Sequence, residues 1–394
     1  MLKFTEAQKL IADQSRSFGV EKIALGDADG RILAEDIYAD RNYPPFNRAA
    51  MDGYAINTGD WENGIREFGV QQVIYAGEAA KEELKAATCY KIMTGAPVPL
   101  SANAVIRRED AEQTGDAIKF NLENLKPFQN ISRQGEDMRQ GDKILSKGTP
   151  CSLAAISILA SLGKSTVQVQ CLPKVALFTT GNELVEVGMS VSATQIRNSN
   201  QYLLKSLLKK WLIKPAICKH VIDDKAQLKT ALSGALSFDI IITCGGVSAG
   251  DADYLPEVLA DLGVKKLFHK VAIKPGKPIW CGQMPNGGMV FALPGNPVSC
   301  MVTFKLFIEA YLTTCLGVGI SKTLTLPFKG NRRRTTNLDE FFPVTISGEP
   351  ATTQSISINS SGDIRLGLHA DALAHHPVDN EELEGGSIVT CYLL

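Results

Sequence analysis

At 394 residues the chain is long enough for about two to four domains. Hydrophobic residues make up 44% and charged residues 21% of it, the balance of an ordinary soluble globular protein. The formal net charge of -1 gives no electrostatic reason to expect nucleic acid or an anionic membrane as a partner. The N-terminus lacks the pattern of a signal peptide, and the longest apolar stretch, around residues 151–162, is too short for a transmembrane helix. We therefore expect a cytoplasmic protein.

The nine cysteines are odd in number and widely spaced, and no CxxC or CxxH pair occurs. A structural zinc site therefore has little support. Five of the cysteines lie in or beside apolar segments: Cys151, Cys171, Cys218, Cys244 and Cys281. This placement predicts buried free thiols in a reducing compartment.

The first part of the chain predicts one helix and a set of short strands. Apolar residues near helical spacing predict an amphipathic helix over 3–18. Residues 31–43 and 136–150 are flanked or interrupted by glycines and prolines, and we expect them to form short extended segments. Between them lie four strand-like runs separated by turn residues: Tyr54–Ile56, Gln72–Ile74, Ala104–Arg108 and Ile118–Asn121. This pattern predicts a small, mostly β insertion.

From residue 173 onward strands and helices alternate. The predicted strands are Lys174–Thr179, Pro215–Val221 and Asp239–Thr243, and the predicted helices are Tyr202–Trp211, Lys225–Leu236 and Tyr254–Leu262. Such spacing predicts a parallel sheet with helices on both faces. Ligands of these sheets bind at the carboxyl ends of the strands. The unusual residues of the region fall at those ends: 182–183, 223–224, 245–253 and 294–297.

The last part of the chain predicts strands again. After an expected apolar helix over Val298–Leu312, strand-like stretches at Thr323–Phe328, Phe341–Ile346 and Ser387–Tyr392 indicate a small all-β domain. His375 and His376 stand beside a proline and an acidic run, which favours a solvated loop. The Arg-Arg-Arg run at 332–334 is predicted to be a solvated charge run, because the chain supplies too little basic surface for a nucleic-acid patch.

The sharpest local signal is the segment 243–254, Thr-Cys-Gly-Gly-Val-Ser-Ala-Gly-Asp-Ala-Asp-Tyr. Three glycines at the end of a strand let backbone amides approach an anion closely, and a helix N-terminus follows. Asp251 and Asp253 stand where that helix is expected to begin. Capping of the helix is therefore as good an explanation of these two carboxylates as a ligand role.

Three lysines follow on a stiff loop. Lys270, Lys274 and Lys277 lie in a segment that also holds two prolines and a glycine. Lysines on stiff backbone suit a pyrophosphate or oxyanion, although each could be a solvated surface charge. The Leu-Pro-Gly-Asn-Pro turn at 293–297 closes another strand. Carboxylates and lysines in one crevice fit phosphate-anhydride chemistry, with the carboxylates holding Mg²⁺ and the lysines neutralising the remaining charge.

Eight motifs occur in a fixed order: Asn47–Ala55, Ile92–Pro99, Arg133–Asp137, Thr180–Leu184, Ile196–Asn200, Gly245–Gly250, Ile273–Pro278 and Leu293–Pro297. Together they resemble the molybdopterin molybdenumtransferase family, which includes MoeA and the gephyrin E domain. They span roughly residues 40–300, and eight ordered motifs are far more specific than any one of them.

The resemblance implies a multidomain α/β plus β fold and a homodimer. Residues 173–320 would form a MogA-like α/β molybdopterin-binding domain, with a mostly parallel sheet flanked by helices. Residues 44–135 would form a small β insertion domain, and 321–394 a C-terminal β-barrel-like domain. Residues 1–43 and 136–172 would together form a discontinuous elongated domain used for dimerisation.

The resemblance also implies an activity. The family inserts molybdate into adenylylated molybdopterin with Mg²⁺-dependent release of AMP, and its partners would be a molybdopterin adenylyltransferase and molybdoenzyme acceptors or chaperones. Three alternatives stay open: adenylylation of molybdopterin, a non-catalytic cofactor-binding or scaffold paralogue, and tungstate in place of molybdate. The extra domains favour insertion, because MogA-like adenylylating proteins are essentially the α/β unit alone.

By the same resemblance, Glu183, Asp223 and Asp253 are the acidic residues that would act in catalysis and bind the metal. Lys270 and Lys274 are the basic catalytic pair. The implied substrate-binding residues are Asn198, Asn200, Gly245, Gly246, Ser248, Gly250, Lys277, Pro294, Asn296 and Pro297. The small β domain of the other subunit would face this cleft with Asp52, Thr94, Arg133 and Asp137. Asp52, Thr94 and Asp137 could instead be turn residues.

Two positions depart from the family pattern. Gln134 follows Arg133, where family members often have a run of arginines, so a weaker basic contribution is expected. The segment Asn359–Asp363 is only a loose match to the Gln-Gly-Ser-Gly-like segment of the family. This second departure argues against a substrate contact from the C-terminal domain.

Overall fold

The structure is a computed structural model that describes residues 1–247, 254–318 and 323–394. The chain divides into two compact units. The larger unit comprises Met1–Glu35, Gly148–Ser157 and Lys164–Leu394, and the smaller unit comprises Asp36–Lys147 and Ile158–Gly163. The finer division into four domains stays a prediction.

The described helices are α1 (Phe4–Ala12), α2 (Thr58–Glu62), α3 (Leu153–Ser161), α4 (Ser199–Lys209), α5 (Lys225–Ser233), α6 (Leu255–Asp261), α7 (Pro297–Thr303) and α8 (Glu309–Cys315). A π-helical turn, Phe304–Ile308, joins α7 to α8, and short 3-10 turns cover Leu25–Asp27 and Arg108–Asp110. The first helix ends well before the predicted residue 18, because the next hydrogen bonds tighten to i→i−3: the Gln14 N–H donates to the Ile11 carbonyl and the Ser15 N–H to the Ala12 carbonyl.

The described strands are β1 (Val20–Ala24), β2 (Ile37–Tyr38), β3 (Arg48–Ala49), β4 (Gly53–Ile56), β5 (Glu67–Ile74), β6 (Thr88–Ile92), β7 (Ala104–Arg107), β8 (Ala111–Thr114), β9 (Ala117–Phe120), β10 (Ile131–Ser132), β11 (Lys143–Leu145), β12 (Thr166–Gln170), β13 (Val175–Thr180), β14 (Leu184–Val185), β15 (Ile196–Arg197), β16 (Ile217–Val221), β17 (Ile240–Cys244), β18 (Lys265–His269), β19 (Ile273–Lys274), β20 (Trp280–Gln283), β21 (Met289–Leu293), β22 (Thr323–Lys329), β23 (Arg332–Arg333), β24 (Asp339–Ser347), β25 (Thr352–Ser355), β26 (Ala372–His376), β27 (Glu382–Leu383) and β28 (Ile388–Leu393).

The smaller unit is built on a six-stranded sheet with the order β7-β4-β6-β5-β9-β8. The strands pair antiparallel except for β5 and β6, and apolar clusters cover both faces of the sheet. Gly53 begins β4 in the Met-Asp-Gly-Tyr motif. A Cβ at this position would lie 1.9 Å from the carbonyl oxygen of Ile106, so the pairing of β4 with β7 requires glycine here.

The larger unit contains a second six-stranded sheet, with the order β16-β13-β17-β21-β20-β18. The first four strands are parallel, whereas β20 and β18 extend the sheet as antiparallel strands. Strands β13, β17 and β21 are buried along their whole length, as expected of parallel strands covered on both faces. Apolar residues of α1, α4, α7 and α8 cover one face, and those of α5 and α6 cover the other.

The run Pro297–Cys315, formed by α7, the π-helical turn and α8, is by length and composition able to cross a membrane. However, 83% of it is buried inside the protein, as in the core helix of a globular domain. It lies in the apolar cluster beneath the parallel sheet. The prediction that residues 151–162 are the longest apolar stretch is therefore wrong.

Beyond residue 322 the chain forms a closed five-stranded barrel. The strands follow the order β24-β25-β22-β28-β26, and β26 pairs back onto β24. The short strand β19 adds to the barrel beside β24. The predicted fold class, multidomain α/β plus β with a mostly parallel central sheet and a C-terminal barrel, is confirmed.

The prediction for the two histidines is wrong, and the prediction for the arginine run holds only in part. His375 and His376 lie in β26 rather than in a solvated loop. His376 is fully buried, and His375 stacks on the ring of Phe341 with its Nε2 2.9 Å from Asp339. The arginine run is only partly solvated, because Arg332 Nη2 lies 2.7 Å from the buried carboxylate of Glu340. The alternation of a strand, not the local polarity, decides which of these side chains are buried.

Candidate functional site

A cavity of about 930 Å³ opens at the carboxyl ends of the parallel strands in the larger unit. Thr179 at the end of β13 pairs with Cys244 at the end of β17, and Cys244 in turn pairs with Leu293 at the end of β21. The segments that follow these three strands therefore leave the sheet at the same edge, where ligands of such sheets bind.

Nine of the predicted site residues line this cavity: Glu183, Asn198, Asn200, Asp223, Gly245, Gly246, Pro294, Asn296 and Pro297. The folding of β13, β16, β17 and β21 into one sheet brings them together from four separate parts of the sequence. The predicted residues Ser248, Gly250 and Asp253 lie outside the described residues, as does Asp251.

The two consecutive glycines after β17 have a steric reason. Gly245 has a φ of +103° and Gly246 a φ of +67°, and L-residues with a side chain rarely adopt either value. The Gly245 N–H donates to the carbonyl of Leu293 at 3.0 Å. A Cβ on Gly245 would lie 2.3 Å from the carbonyl oxygen of Thr180. The glycine pair thus lets the chain pass close to the end of β13 and leaves the cavity open.

Two carboxylates line the cavity, those of Glu183 and Asp223. The Thr180 hydroxyl donates to the Asp223 carboxylate, and the Asp223 N–H donates to Asn182 Oδ1 at 3.1 Å. The neighbouring Asp224 has a structural role instead: its carboxylate accepts a hydrogen bond from the N–H of Gln227 and caps α5. Asp223 is therefore the member of this Asp-Asp pair that is available to a ligand.

The N-terminus of α4 also faces the cavity, with Ser199 and Asn200 in the lining. Asn198 caps this helix through its Oδ1, and its Nδ2 donates to the Thr179 hydroxyl at 2.7 Å. Because Asn198 caps the helix, α4 begins at Ser199 and not at the predicted Tyr202. A helix N-terminus presents free N–H groups and a partial positive charge, which favours an anionic ligand.

Asn200 joins two walls of the cavity. Its Nδ2 donates to the carbonyl of Gly295 at 2.6 Å and lies 3.3 Å from Cys244 Sγ. Its Oδ1 is buried and has no hydrogen-bond partner within the described part of the chain. A buried acceptor without a partner costs free energy, so a donor group on a ligand would be favoured here.

The barrel contributes to the cavity through Gly362 and Ile364. The 359–363 segment reaches the Pro-Gly-Asn-Pro turn, because Asn296 Nδ2 donates to Ser361 Oγ at 2.9 Å and the Val298 N–H donates to the Ser361 carbonyl at 3.1 Å. The departure from the family's sequence therefore does not keep this segment away from the cavity. The expectation about substrate contact by the C-terminal domain stays a prediction.

The three predicted lysines are not among the cavity-lining residues of the described chain, whereas Pro278 of the same segment is. The Lys274 ammonium donates to the Thr335 hydroxyl and lies 3.8 Å from Glu340 Oε1. Lys270 has a φ of +69°, and its N–H donates to the Ile279 carbonyl. The Lys277 carbonyl accepts from the N–H of Val271. The stiff loop is therefore present, and the ammonium of Lys274 is turned toward the barrel.

The remaining predicted residues belong to the smaller unit. Asp52 Oδ1 accepts from both the N–H and the hydroxyl of Thr94 at 2.7 Å, and these hydrogen bonds lower the pKa of Asp52. The Arg133 guanidinium lies over the ring of Phe128, 4.2 Å from its centroid. The Asp137 N–H donates to the Tyr43 carbonyl. Within this unit the structure pairs Asp52 with Thr94.

Some lining residues were not predicted from the sequence, among them Val191, Gln195, Cys244 and Ile364. Cys244 stands directly before the Gly-Gly turn, and this position alone could have indicated it. Ile364 comes from a part of the chain with no motif. Only the tertiary fold brings it to the cavity.

Mg²⁺ requires oxygen ligands, which carboxylates supply. Among the described residues no group of three or more His, Cys, Asp or Glu side chains could hold a metal ion. Glu183 and Asp223 nevertheless place two carboxylates on one cavity. Mg²⁺ is usually held by one or two carboxylates together with substrate phosphates. The residues present therefore fit an ion that is completed by a phosphorylated substrate.

The fold and the cavity define a multidomain α/β plus β enzyme with a ligand site at the carboxyl ends of its parallel strands. Two family descriptions match the sequence. "MoeA N-terminal region (domain I and II)" matches residues 2–163, and "Probable molybdopterin binding domain" matches residues 176–314.

The chain is 37% identical over 318 residues to a molybdopterin molybdenumtransferase of Haemophilus influenzae, a match that covers 78% of each chain. It is 33% identical over 400 residues to one of Staphylococcus epidermidis, which covers 98% of this chain and 94% of the relative. The crystal structure of a molybdopterin biosynthesis MoeA protein from Pyrococcus horikoshii OT3 superposes with a TM-score of 0.85 at 30% identity over all of both chains. The chain belongs to the molybdopterin molybdenumtransferase family.

Proposed function

We propose that this protein inserts molybdate into adenylylated molybdopterin, with Mg²⁺-dependent release of AMP, to give active molybdenum cofactor. Membership of the molybdopterin molybdenumtransferase family supports molybdenum-cofactor biosynthesis as the process and transfer as the reaction class. The observation that carries the finer proposal is the cavity itself. It combines two carboxylates with a helix N-terminus and a glycine turn at the carboxyl ends of the parallel sheet.

The lining of the cavity suits an anionic ligand with a flat apolar part. Gly245 and the N-terminus of α4 let phosphate oxygens approach backbone N–H groups closely. Leu184, Val191 and Ile196 supply apolar surface in the same cavity. A pterin ring could contact these side chains while its phosphate group lies near the helix terminus.

The residues of the chain would mainly bind and orient the substrate. Glu183 and Asp223 would hold Mg²⁺, with Asp253 as the third predicted ligand. The ion, when bound, would supply positive charge at the oxygens of the phosphate anhydride. Asp223 is held in place by the Thr180 hydroxyl, so its carboxylate is oriented before the ligand arrives. Preorganised charge of this kind stabilises the charge that develops as the anhydride breaks.

The remaining predicted residues keep their proposed roles. Lys270, Lys274 and Lys277 are not in the cavity lining of the described chain, so they would neutralise charge on parts of the substrate that extend beyond it. Ser248 and Gly250 would bind the substrate. Asn198, Asn200, Gly246, Pro294, Asn296 and Pro297 would bind the substrate. Asp52, Thr94, Arg133 and Asp137 would serve a cleft shared with a second copy of the chain in a homodimer.

We place the reaction in the cytoplasm, without a nucleic-acid or membrane partner. All nine cysteines are free, which suits a reducing compartment. A molybdopterin adenylyltransferase would supply the substrate, and molybdoenzymes or their chaperones would accept the product.

The test is AMP release from adenylylated molybdopterin with Mg²⁺, with and without micromolar molybdate. We expect release that depends on molybdate and stops when EDTA removes Mg²⁺. The product should activate a molybdenum-free acceptor enzyme. Release that needs no molybdate, or formation of adenylylated product from ATP, would contradict the proposal in favour of adenylylation. Binding of the pterin without any release would favour a scaffold.

A further inference from the structure

Two thiols meet at the wall of the cavity. Cys244, the last residue of β17, lines the cavity, and Cys300 lies in the first turn of α7. Their sulfur atoms are 3.7 Å apart. Cys244 Sγ is also 3.5 Å from the Pro294 carbonyl oxygen and 3.3 Å from Asn200 Nδ2. The sulfur pair is therefore in direct contact with two cavity residues.

The two sulfur atoms, 3.7 Å apart, are close enough to form a disulfide after a small movement. An S–S bond is about 2.0 Å long, so oxidation requires the sulfurs to approach by about 1.7 Å. Cys300 is fully buried and Cys244 is 2% exposed. A small oxidant that enters the cavity would therefore meet Cys244 first, and Cys300 would lie directly behind it.

We propose that Cys244 and Cys300 are a redox modification site, at which a hydroperoxide converts the two thiols into a disulfide and distorts the cavity so that substrate no longer binds. The effect on catalysis rests on the proposed function, whereas formation of the bond does not. Since Cys244 is part of the cavity wall, the modification acts on the site directly.

The chemistry is balanced in two steps. Cys244 Sγ attacks the peroxide, the O–O bond breaks, and an alcohol (water, when the oxidant is hydrogen peroxide) leaves as Cys244 becomes a sulfenic acid. Cys300 Sγ then attacks Cys244 Sγ, the S–O bond breaks, and water leaves with the Cys300 proton. The two sulfurs together lose two electrons, which the peroxide gains. A reducing thiol restores both cysteines by exchange.

The surroundings assign different roles to the two cysteines. Hydrogen bonding with Cys244 and burial together raise the pKa of the Cys300 thiol well above its usual range. Because Cys300 is fully buried, an oxidant in the cavity reaches Cys244 first, and Cys300 gives up its proton only as it attacks the sulfenic sulfur of Cys244 beside it. Cys244 is the cysteine that the cavity exposes to a reagent.

The bond would change the geometry of the cavity. It would join the end of β17 to the start of α7 and draw the Cys244 sulfur away from Asn200 and Pro294. Gly245, the next residue, is held by the hydrogen bond from its N–H to the Leu293 carbonyl and passes so close to β13 that a Cβ on it would lie 2.3 Å from the Thr180 carbonyl oxygen. Displacements of about 1 Å at a site can cost on the order of 10²-fold in rate.

The experiment compares wild type with Cys300→Ala, with Cys281→Ala as the matched control. Cys281 is as completely buried as Cys300 but lies on β20. Each protein is fully reduced, treated with hydrogen peroxide and mapped by mass spectrometry for a peptide that links residues 244 and 300. AMP release and binding of molybdopterin are measured before treatment, after treatment and after dithiothreitol.

In wild type and in Cys281→Ala we expect the linked peptide, with a mass lower by two hydrogen atoms. In both proteins AMP release should fall on the order of 10²-fold, and dithiothreitol should restore it. Reduced Cys300→Ala should bind molybdopterin as wild type does and should yield no linked peptide. The inference is overturned if folded wild type yields no 244–300 link, or if the linked protein keeps its binding of molybdopterin. Linkage with blocked binding in a protein that never releases AMP would instead refute only the proposed function.

Discussion

Gly245 lies so close to Thr180 that a Cβ at position 245 would come within 2.3 Å of the Thr180 carbonyl oxygen. Both residues line the cavity: Thr180 is the last residue of β13, and Gly245 directly follows the neighbouring parallel strand β17. The glycine turn and the end of β13 are therefore packed so closely that neither can change without moving the other. A change at either residue should alter the shape of the cavity.

Gly245→Ala is accordingly expected to reduce AMP release strongly and to lower the melting temperature. The added methyl group must displace the Thr180 backbone, and the φ of +103° is strained for alanine. The control is Gly188→Ala, because a Cβ at Gly188 meets nothing within 4 Å. Activity assays and thermal melts of both variants check the prediction, and equal behaviour of the two variants would refute it.

Ile364→Ser should weaken binding of the substrate without changing stability. The Ile364 side chain is 79% exposed and lines the cavity, so its removal takes apolar surface from the ligand and not from the core. Leu368 is equally exposed, at 79%, and does not line the cavity, so Leu368→Ser is the control. We expect a several-fold rise in KM for Ile364→Ser alone. Unchanged KM in both variants would mean that the barrel does not contact the substrate.

Asn198→Ala should lower both stability and binding of the substrate. The variant removes the cap of α4 and the hydrogen bond to the Thr179 hydroxyl, with loss of the cap alone costing about 1 kcal/mol. Asn57→Ala removes the same kind of cap from α2 in the smaller unit. Denaturant unfolding and substrate titration distinguish the two variants. Wild-type binding by Asn198→Ala would show that the N-terminus of α4 does not hold the ligand.

Glu340 should make the stability of the barrel dependent on pH. Burial alone would raise the pKa of Glu340, but hydrogen bonds from Thr335 and Arg332 outweigh it and lower the pKa from 4.5 to about 2. A carboxylate with a depressed pKa stabilises the folded state above its unfolded pKa, and this stabilisation is lost as the pH falls from about 4.5 toward 2.

Glu340→Gln should therefore destabilise the protein by about 3 kcal/mol at neutral pH, because it leaves the Arg332 charge without its buried partner. The difference from wild type should shrink below pH 4.5. Denaturant unfolding at several pH values measures it. The exposed pair of Arg333 with Glu381 supplies the control, Glu381→Gln, for which a small effect is expected. A difference for Glu340→Gln that is constant with pH would contradict the assigned pKa.

Much of the central fold could be predicted because its strands and helices differ clearly in their apolar period. The strands around Leu177 and Ile242 are continuous apolar runs between turn residues, and the structure has them within a residue or two of the predicted bounds. Strands β18 and β20 could not be found in this way, because they flank the lysine segment that the sequence presents as a loop.

The cavity could be predicted where its residues follow a buried strand, as Asp223 and Gly245 do. Residues whose neighbours come from distant parts of the chain escaped prediction. His376 is polar and stands in a polar stretch, yet the closure of the barrel buries it. The orientation of the Lys274 side chain toward Thr335 likewise depends on the pairing of β19 with β24, which no local pattern indicates.

The most direct measurement is molybdate-dependent AMP release by Asp223→Asn compared with Asp224→Asn. The two residues are adjacent, but Asp223 lines the cavity and Asp224 caps α5, a role that asparagine fills equally well. We predict that Asp223→Asn loses the release and that Asp224→Asn retains it, with wild-type melting temperatures for both. Equal activity of the two variants would contradict the placement of the reaction in this cavity.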